Sequence, residues 1–220
     1  MVMNPGRTDI TLQAGGVALE GELVIPTTPI GVVVFANGSG GIRFNPRNRV
    51  VAEMLHAGHI GTLLFDLLTE AESQRPGMAL DTDLLAQRLL VALDWLSAHP
   101  ETAGLPVGLF GADTGAAPAI VAAAERRGGV GAVVARGGRL EHAESRLHGV
   151  RCPTLLITGE RDRDTAKLTR RAFGELHCQK HLVLVAGASH QFDEPGTLED
   201  AAHHAMTWFS THLHPAPVTV

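Results

Sequence analysis

The stretch Val107-Gly-Leu-Phe-Gly-Ala-Asp113-Thr-Gly-Ala-Ala117 runs an apolar strand into a tight turn and out again into a helix of small residues. Its centre, Gly111-Ala112-Asp113-Thr114-Gly115, has the spacing Gly-x-Asp-x-Gly, a nucleophile elbow with aspartate at the central place. The glycines have a mechanical reason. The turn is so sharp that only small residues fit beside the central one, whose side chain is forced out at the carboxyl end of the sheet. The plainer alternative is an ordinary strand-to-helix turn in which Asp113 only caps the helix, and the pentapeptide by itself favours neither.

Outward from this stretch, apolar β-branched runs alternate with segments of helical periodicity, the signature of βαβ units and a mostly parallel sheet with helices on both faces. Strands are expected at Thr8–Leu12, Ala18–Ile25, Gly31–Ala36, Gly61–Leu67, Pro106–Gly111, Gly131–Arg136, Thr154–Thr158 and His181–Ala186. The first two alternate in character and suit an antiparallel edge. Asn45-Pro46 reads as an N-cap with proline at the first helical position, opening a helix to about His56. Further helices are expected at Asp81–Ala98, with its stripe Leu84, Leu85, Leu89, Leu93 and Leu96, and at Thr114–Arg126, Asp164–Leu176 and Thr197–His212. Thr69–Leu80 reads as a structureless loop over a site. The gap between Arg136 and Thr154 is too short for an inserted lid, and residues 1–220 read as a single α/β domain.

Three other segments bear on Asp113. Phe35-Ala36-Asn37-Gly38-Ser39-Gly40-Gly41 follows an early strand, where a backbone N–H can serve an oxyanion hole. Leu155-Leu-Ile-Thr-Gly-Glu-Arg-Asp162 is a buried strand ending in a turn with an acid. Val185-Ala-Gly-Ala-Ser-His190 sets a histidine just past the last strand. Asp162 is preferred over Glu160 and Asp164 by its position after the strand, and His190 over eleven other histidines by its Gly-Ala-Ser-His context.

With these residues in hand, the chain resembles the small hydrolases of the dienelactone-hydrolase branch of the α/β-hydrolase fold. The segments Phe35–Arg43, Leu63–Leu68, Gly108–Ala124, Thr154–Asp162 and Gly187–Phe192 carry the resemblance. It implies an elbow, acid and histidine in that chain order, with Asp113, Asp162 and His190 in those places. The sequence departs from such relatives at two points, Asn37 for a histidine in the oxyanion segment and Asp113 for Ser or Cys at the elbow.

That departure decides the expected chemistry. A carboxylate attacking an ester would give an anhydride, whereas displacement at a saturated carbon gives an alkyl-enzyme ester that water activated by His190 can hydrolyse. Asp113 as nucleophile on an epoxide or alkyl halide is therefore the first expectation, although the chain has no Tyr to protonate an epoxide oxygen. The second is a non-hydrolytic acid/base enzyme of natural-product tailoring, a cyclisation, conjugate addition or C–C bond formation with Asp113 and His190 as proton shuttle. The third is an inactive or engineered form of a serine ester or lactone hydrolase. Asn37, Ser39, Thr114 and Arg136 are the expected oxyanion or substrate-binding residues. Arg136 and Arg139 flank Gly137-Gly138 and either hold an anionic substrate group or form a solvated loop pair.

Composition narrows the partners. The formal charge of −5 offers no basic field for nucleic acid or anionic membrane, so the expected partner is a small-molecule substrate. No secretory leader or apolar span is evident, giving an expected cytoplasmic location. The two cysteines, Cys152 and Cys178, lack metal-ligand spacing and read as reduced and structural; no metal or cofactor is expected.

Overall fold

The computed structural model describes residues 6–36 and 44–213. The chain opens with a hairpin of β1 (Gly6–Ala14) and β2 (Val17–Ile25). Gly15 and Gly16 turn it with φ of +60° and +87°, the left-handed pair that a two-residue hairpin requires. There follow β3 (Gly31–Ala36), α1 (Pro46–Ala57), β4 (Ile60–Phe65), the short α2 (Glu70–Ser73), α3 (Thr82–Ala98), β5 (Val107–Ala112) and α4 (Ala116–Glu125). β6 (Ala132–Arg136), β7 (Thr154–Gly159), α5 (Arg163–Glu175), β8 (Lys180–Val185) and α6 (Thr197–His212) complete the order.

Among the described residues one sheet contains eight strands in the order β1-β2-β4-β3-β5-β6-β7-β8. β1 and β2 are antiparallel, and β2 meets β4 antiparallel; from β4 to β8 every pairing is parallel. Strands β3 and β4 are buried along their whole length because helices cover both faces, which explains their unbroken apolar runs. On one face α3, α4 and α5 cover Leu109, Val133 and Leu156; on the other α1 and α6 cover Phe110, Val134 and Ile157. The expected α/β architecture, a mostly parallel sheet with helices on both faces, is the one observed. The segment after β6 is filled by 3-10 turns over Leu140–Gly149, packed on α4 and α5.

The structure differs from the sequence-based expectation mainly at 69–80. That segment is not structureless: it holds α2 and a 3-10 turn at Met78–Leu80. α4 begins at Ala116, two residues later than the sequence suggests, because Asp113–Gly115 form a 3-10 turn first. Among the described residues no helix is long and apolar enough to cross a membrane.

Candidate active site

β5 delivers Asp113 through a turn with no spare room. A Cβ on Gly111 would stand 2.5 Å from Gly115 O and 2.8 Å from the Cα of Ala116. Asp113 has φ of +51°, in the left-handed region where aspartate is one of the few tolerated non-glycine residues. Its side chain stands out at the carboxyl edge of the sheet, 59% exposed.

His190 comes from the loop between β8 and α6. Its Nδ1 lies 2.6 Å from Asp162 Oδ2, and its Nε2 lies 3.8 Å from Asp113 Oδ1. The first distance is a charge-assisted hydrogen bond and the second is too long for one. Asp162 is also the N-cap of α5, its Oδ1 accepting the Thr165 N–H at 3.2 Å, so both carboxylate oxygens are committed. Partial burial works to raise the Asp162 pKa; hydrogen bonds from Thr165 and His190 outweigh it and hold the carboxyl below its ordinary value. Thus one aspartate fixes one ring nitrogen, while the other ring nitrogen faces Asp113 across a gap.

Two carboxylates that sequence reasoning did not assign hold the His190 loop. Glu194 Oε2 accepts the N–H of Ser189 at 2.9 Å and its hydroxyl at 3.1 Å, and Glu160 Oε2 accepts the Gly187 N–H at 2.9 Å. The loop also lies directly on the end of β7, where a Cβ on Gly159 would come within 2.4 Å of Ala188 O. Glu160 competes with Asp162 in the sequence; in the fold the two share the work, one bracing the loop and the other binding the ring.

Arg136 ends β6 in register with Ala112, the residue before Asp113. It is not part of a solvated loop pair. It is 7% exposed, with its Cζ 5.3 Å from the ring centre of Phe192 and 5.8 Å from that of Phe110. Burial, helped by the like charge of Arg47 and opposed by Asp113, lowers its pKa to about 10, so the guanidinium stays charged at neutral pH. Arg139, by contrast, is exposed and pairs with Glu141 at 2.7 Å. With Leu80, Thr82, Asp113, Thr114, Ala117 and His142 it lines a small cavity beside the elbow. Leu80 and His142 carry no local sequence signal for that role, since only the folding of 78–80 and 140–149 toward the elbow creates it.

The structure therefore brings Asp113, His190, Asp162 and Arg136 together at one edge, with Thr114 lining the adjoining cavity. Asn37 and Ser39 lie outside the described residues. Among the described residues, no group of three or more His, Cys, Asp or Glu side chains is arranged to hold a metal.

Residues 19–213 match the model of the dienelactone hydrolase family. The structure of a dienelactone hydrolase from Anabaena variabilis is 45% identical, with a TM-score of 0.92 over 96% of this chain and 100% of that one. A cold-adapted esterase from an Arctic intertidal metagenomic library superimposes with a TM-score of 0.78 over 97% of this chain and 96% of its own, at 17% identity, a likeness of fold alone. Two Mycobacterium tuberculosis proteins provisionally named as phosphoribosyl transferases are 48% identical over 205 residues, 93% of this chain and 46% of theirs. The chain thus spans about half the length of these curated relatives.

Proposed function

This chain belongs to the dienelactone hydrolase family, and on that footing we propose that it is a hydrolase acting on a substrate with an electrophilic saturated carbon, an alkyl halide or epoxide, with Asp113 as nucleophile. The observation that carries this reading is the 3.8 Å gap between His190 Nε2 and an exposed Asp113 carboxylate. A serine at the elbow must give its proton to the histidine through a hydrogen bond. A carboxylate nucleophile has no proton to hand to the histidine and needs no such bond.

In the first step an Asp113 oxygen forms an ester bond to the substrate carbon as the bond to halide or epoxide oxygen breaks, its electron pair leaving with that atom. In the second, His190 Nε2 takes a proton from water, whose oxygen attacks the Asp113 carbonyl carbon. The tetrahedral intermediate collapses with release of the alcohol, which recovers the proton from His190; the second proton of the attacking water leaves the regenerated Asp113 carboxyl, to solvent alongside the halide or to the alkoxide left by epoxide opening. One oxygen from water stays in the Asp113 carboxylate. Asp162 keeps the ring in the tautomer with Nε2 free and stabilises the imidazolium.

A second reading rests on the same pair of contacts. Carboxylates lie on both sides of the imidazole, at 2.6 Å and 3.8 Å, an arrangement that also suits a proton shuttle in a non-hydrolytic rearrangement. Turnover in water enriched in ¹⁸O separates the two. The covalent route puts label into the Asp113 peptide, and His190→Ala accumulates an alkyl-enzyme adduct visible by intact mass. Confirmed turnover with an unlabelled Asp113 and no adduct would leave only the shuttle. Phosphoribosyl transfer is not carried over, because this chain aligns with less than half of the relatives that bear the name.

A further inference from the structure

Two buried nitrogen donors at the carboxyl edge of the sheet have no acceptor among the described residues, Arg136 Nη1 and Asn48 Nδ2. Arg136 is 7% exposed and Asn48 1%. A buried donor without a partner is costly, so such a group points to a water, ion or ligand that supplies the acceptor. β3, β5 and β6 run parallel, so the first turn of α1, which follows β3, and Arg136, which ends β6, stand at the same edge. They also share a face: Arg136 lies against Phe110 and Phe192, which pack in one cluster with Val51 and Leu55 of α1. Phe192 and Asp193 tie the two parts together, one by its ring on Arg136 and the other by its carboxylate, 2.6 Å from Arg47 Nη2 in the first turn of α1.

The buried charge at this edge is positive. Arg136 is buried and forms no ion pair with a carboxylate of the described residues, Arg47, itself paired with Asp193, adds a second guanidinium, and the first turn of α1 has no acidic residue to offset its dipole. The nearby acids Asp113 and Asp193 have side chains 59% and 64% exposed, so their charges are screened by solvent. We propose that Arg136, Asn48 and Arg47 form a binding position for a phosphate monoester group of the substrate, beside Asp113. A carboxylate has two coplanar acceptors and is satisfied by one guanidinium. Two guanidiniums, an amide and a helix end match a tetrahedral dianion. The assignment of the phosphate to a substrate rests on the reading of Asp113 as the reacting group; the anion site itself does not.

The test is calorimetric titration of inorganic phosphate into the intact chain at low ionic strength, with acetate as the planar comparison. Phosphate is expected to bind saturably and more tightly than acetate, at least about tenfold more weakly in Arg136→Met and several-fold more weakly in Asn48→Leu. Arg171→Gln, which removes an exposed charge paired with Glu144, should bind as the unsubstituted chain does. Replacing an unpaired buried charge by an apolar side chain of similar length is neutral or stabilising, so Arg136→Met should fold, and a thermal melt without phosphate verifies it. No saturable binding, undiminished binding in folded Arg136→Met, or acetate binding as tightly as phosphate would each overturn the proposal. Because binding is read without turnover, this result and the labelling of Asp113 succeed or fail separately.

Discussion

Asp162 does two jobs with one carboxylate, and they can be separated. Oδ1 caps α5 through the Thr165 N–H, while Oδ2 binds His190 Nδ1. Asparagine caps a helix about as well as aspartate but brings no charge, and its amide can donate to the imidazole as well as accept from it. Asp162→Asn is therefore expected to leave stability within about 1 kcal/mol while releasing the His190 tautomer, which ¹⁵N shifts of the ring report directly. Asp162→Ala should lose about 1 kcal/mol more, the usual cost of a missing cap. If Asp162→Asn leaves the ring nitrogens of His190 unchanged, the carboxylate does not set the tautomer. At this scale Asp113, Asp162 and His190 were legible because each stands beside local punctuation, a glycine pair or a strand end. The burial of Arg136 was not legible. It depends on two phenylalanine rings that arrive from β5 and from the loop before α6.

Among the elements, the segment 69–80 shows how a short region escapes a reading by periodicity. α2 is four residues long, too short to display a repeat, and none of its residues is buried. A local signal was nevertheless present in Thr69-Glu-Ala-Glu72, which closes a capping box with both hydrogen bonds made. What fixes the segment is long-range. Arg88 of α3 reaches back with Nη2 to Glu72 Oε1 at 2.6 Å, and with Nη1 to Glu72 Oε2 at 2.8 Å and Leu67 O at 2.5 Å. The hydrogen bonds from Arg88 hold the Glu72 carboxyl down at about 2, against the opposing effect of burial. Arg88 is buried, so removing it leaves the Glu72 carboxylate with only its hydrogen bonds from Thr69 and takes the guanidinium donor from Leu67 O. Arg88→Met is expected to cost about 3–5 kcal/mol by denaturant unfolding and to raise hydrogen exchange across 69–80 first. A loss below about 1 kcal/mol with unchanged exchange would show that the capping box holds the segment unaided. Since Leu80 lines the cavity at Asp113, the lock on this segment also shapes the site.

For the whole molecule, the perturbed acids and His56 all respond to protons in one direction. Glu72, Glu141, Asp162 and Glu194 are each held below the ordinary carboxylate value, and His56 is lowered from 6.5 to about 4. Burial is the main cause at His56, with Arg7 and Arg49 adding to it and Glu22 opposing, and its Nε2 shares a 2.8 Å hydrogen bond with Thr62 Oγ. A histidine whose folded pKa lies below its unfolded one binds fewer protons when folded between those values. Its contribution is therefore complete above pH 6.5 and drains away as pH falls toward 4. The carboxylates act lower, from their ordinary values downward, with Glu72 reaching to about 2. Acid unfolding should thus begin with His56, which links α1 to β4, before the site carboxylates are touched. Allowing for partial exposure, His56 is expected to account for about 1–2 kcal/mol of the stability lost over its window. Denaturant unfolding at a series of pH values, for the unsubstituted chain and for His56→Gln, measures that share. The substituted chain should show a flatter profile between pH 6.5 and 4 and the same steep fall below it; parallel profiles throughout would assign the early loss to other groups.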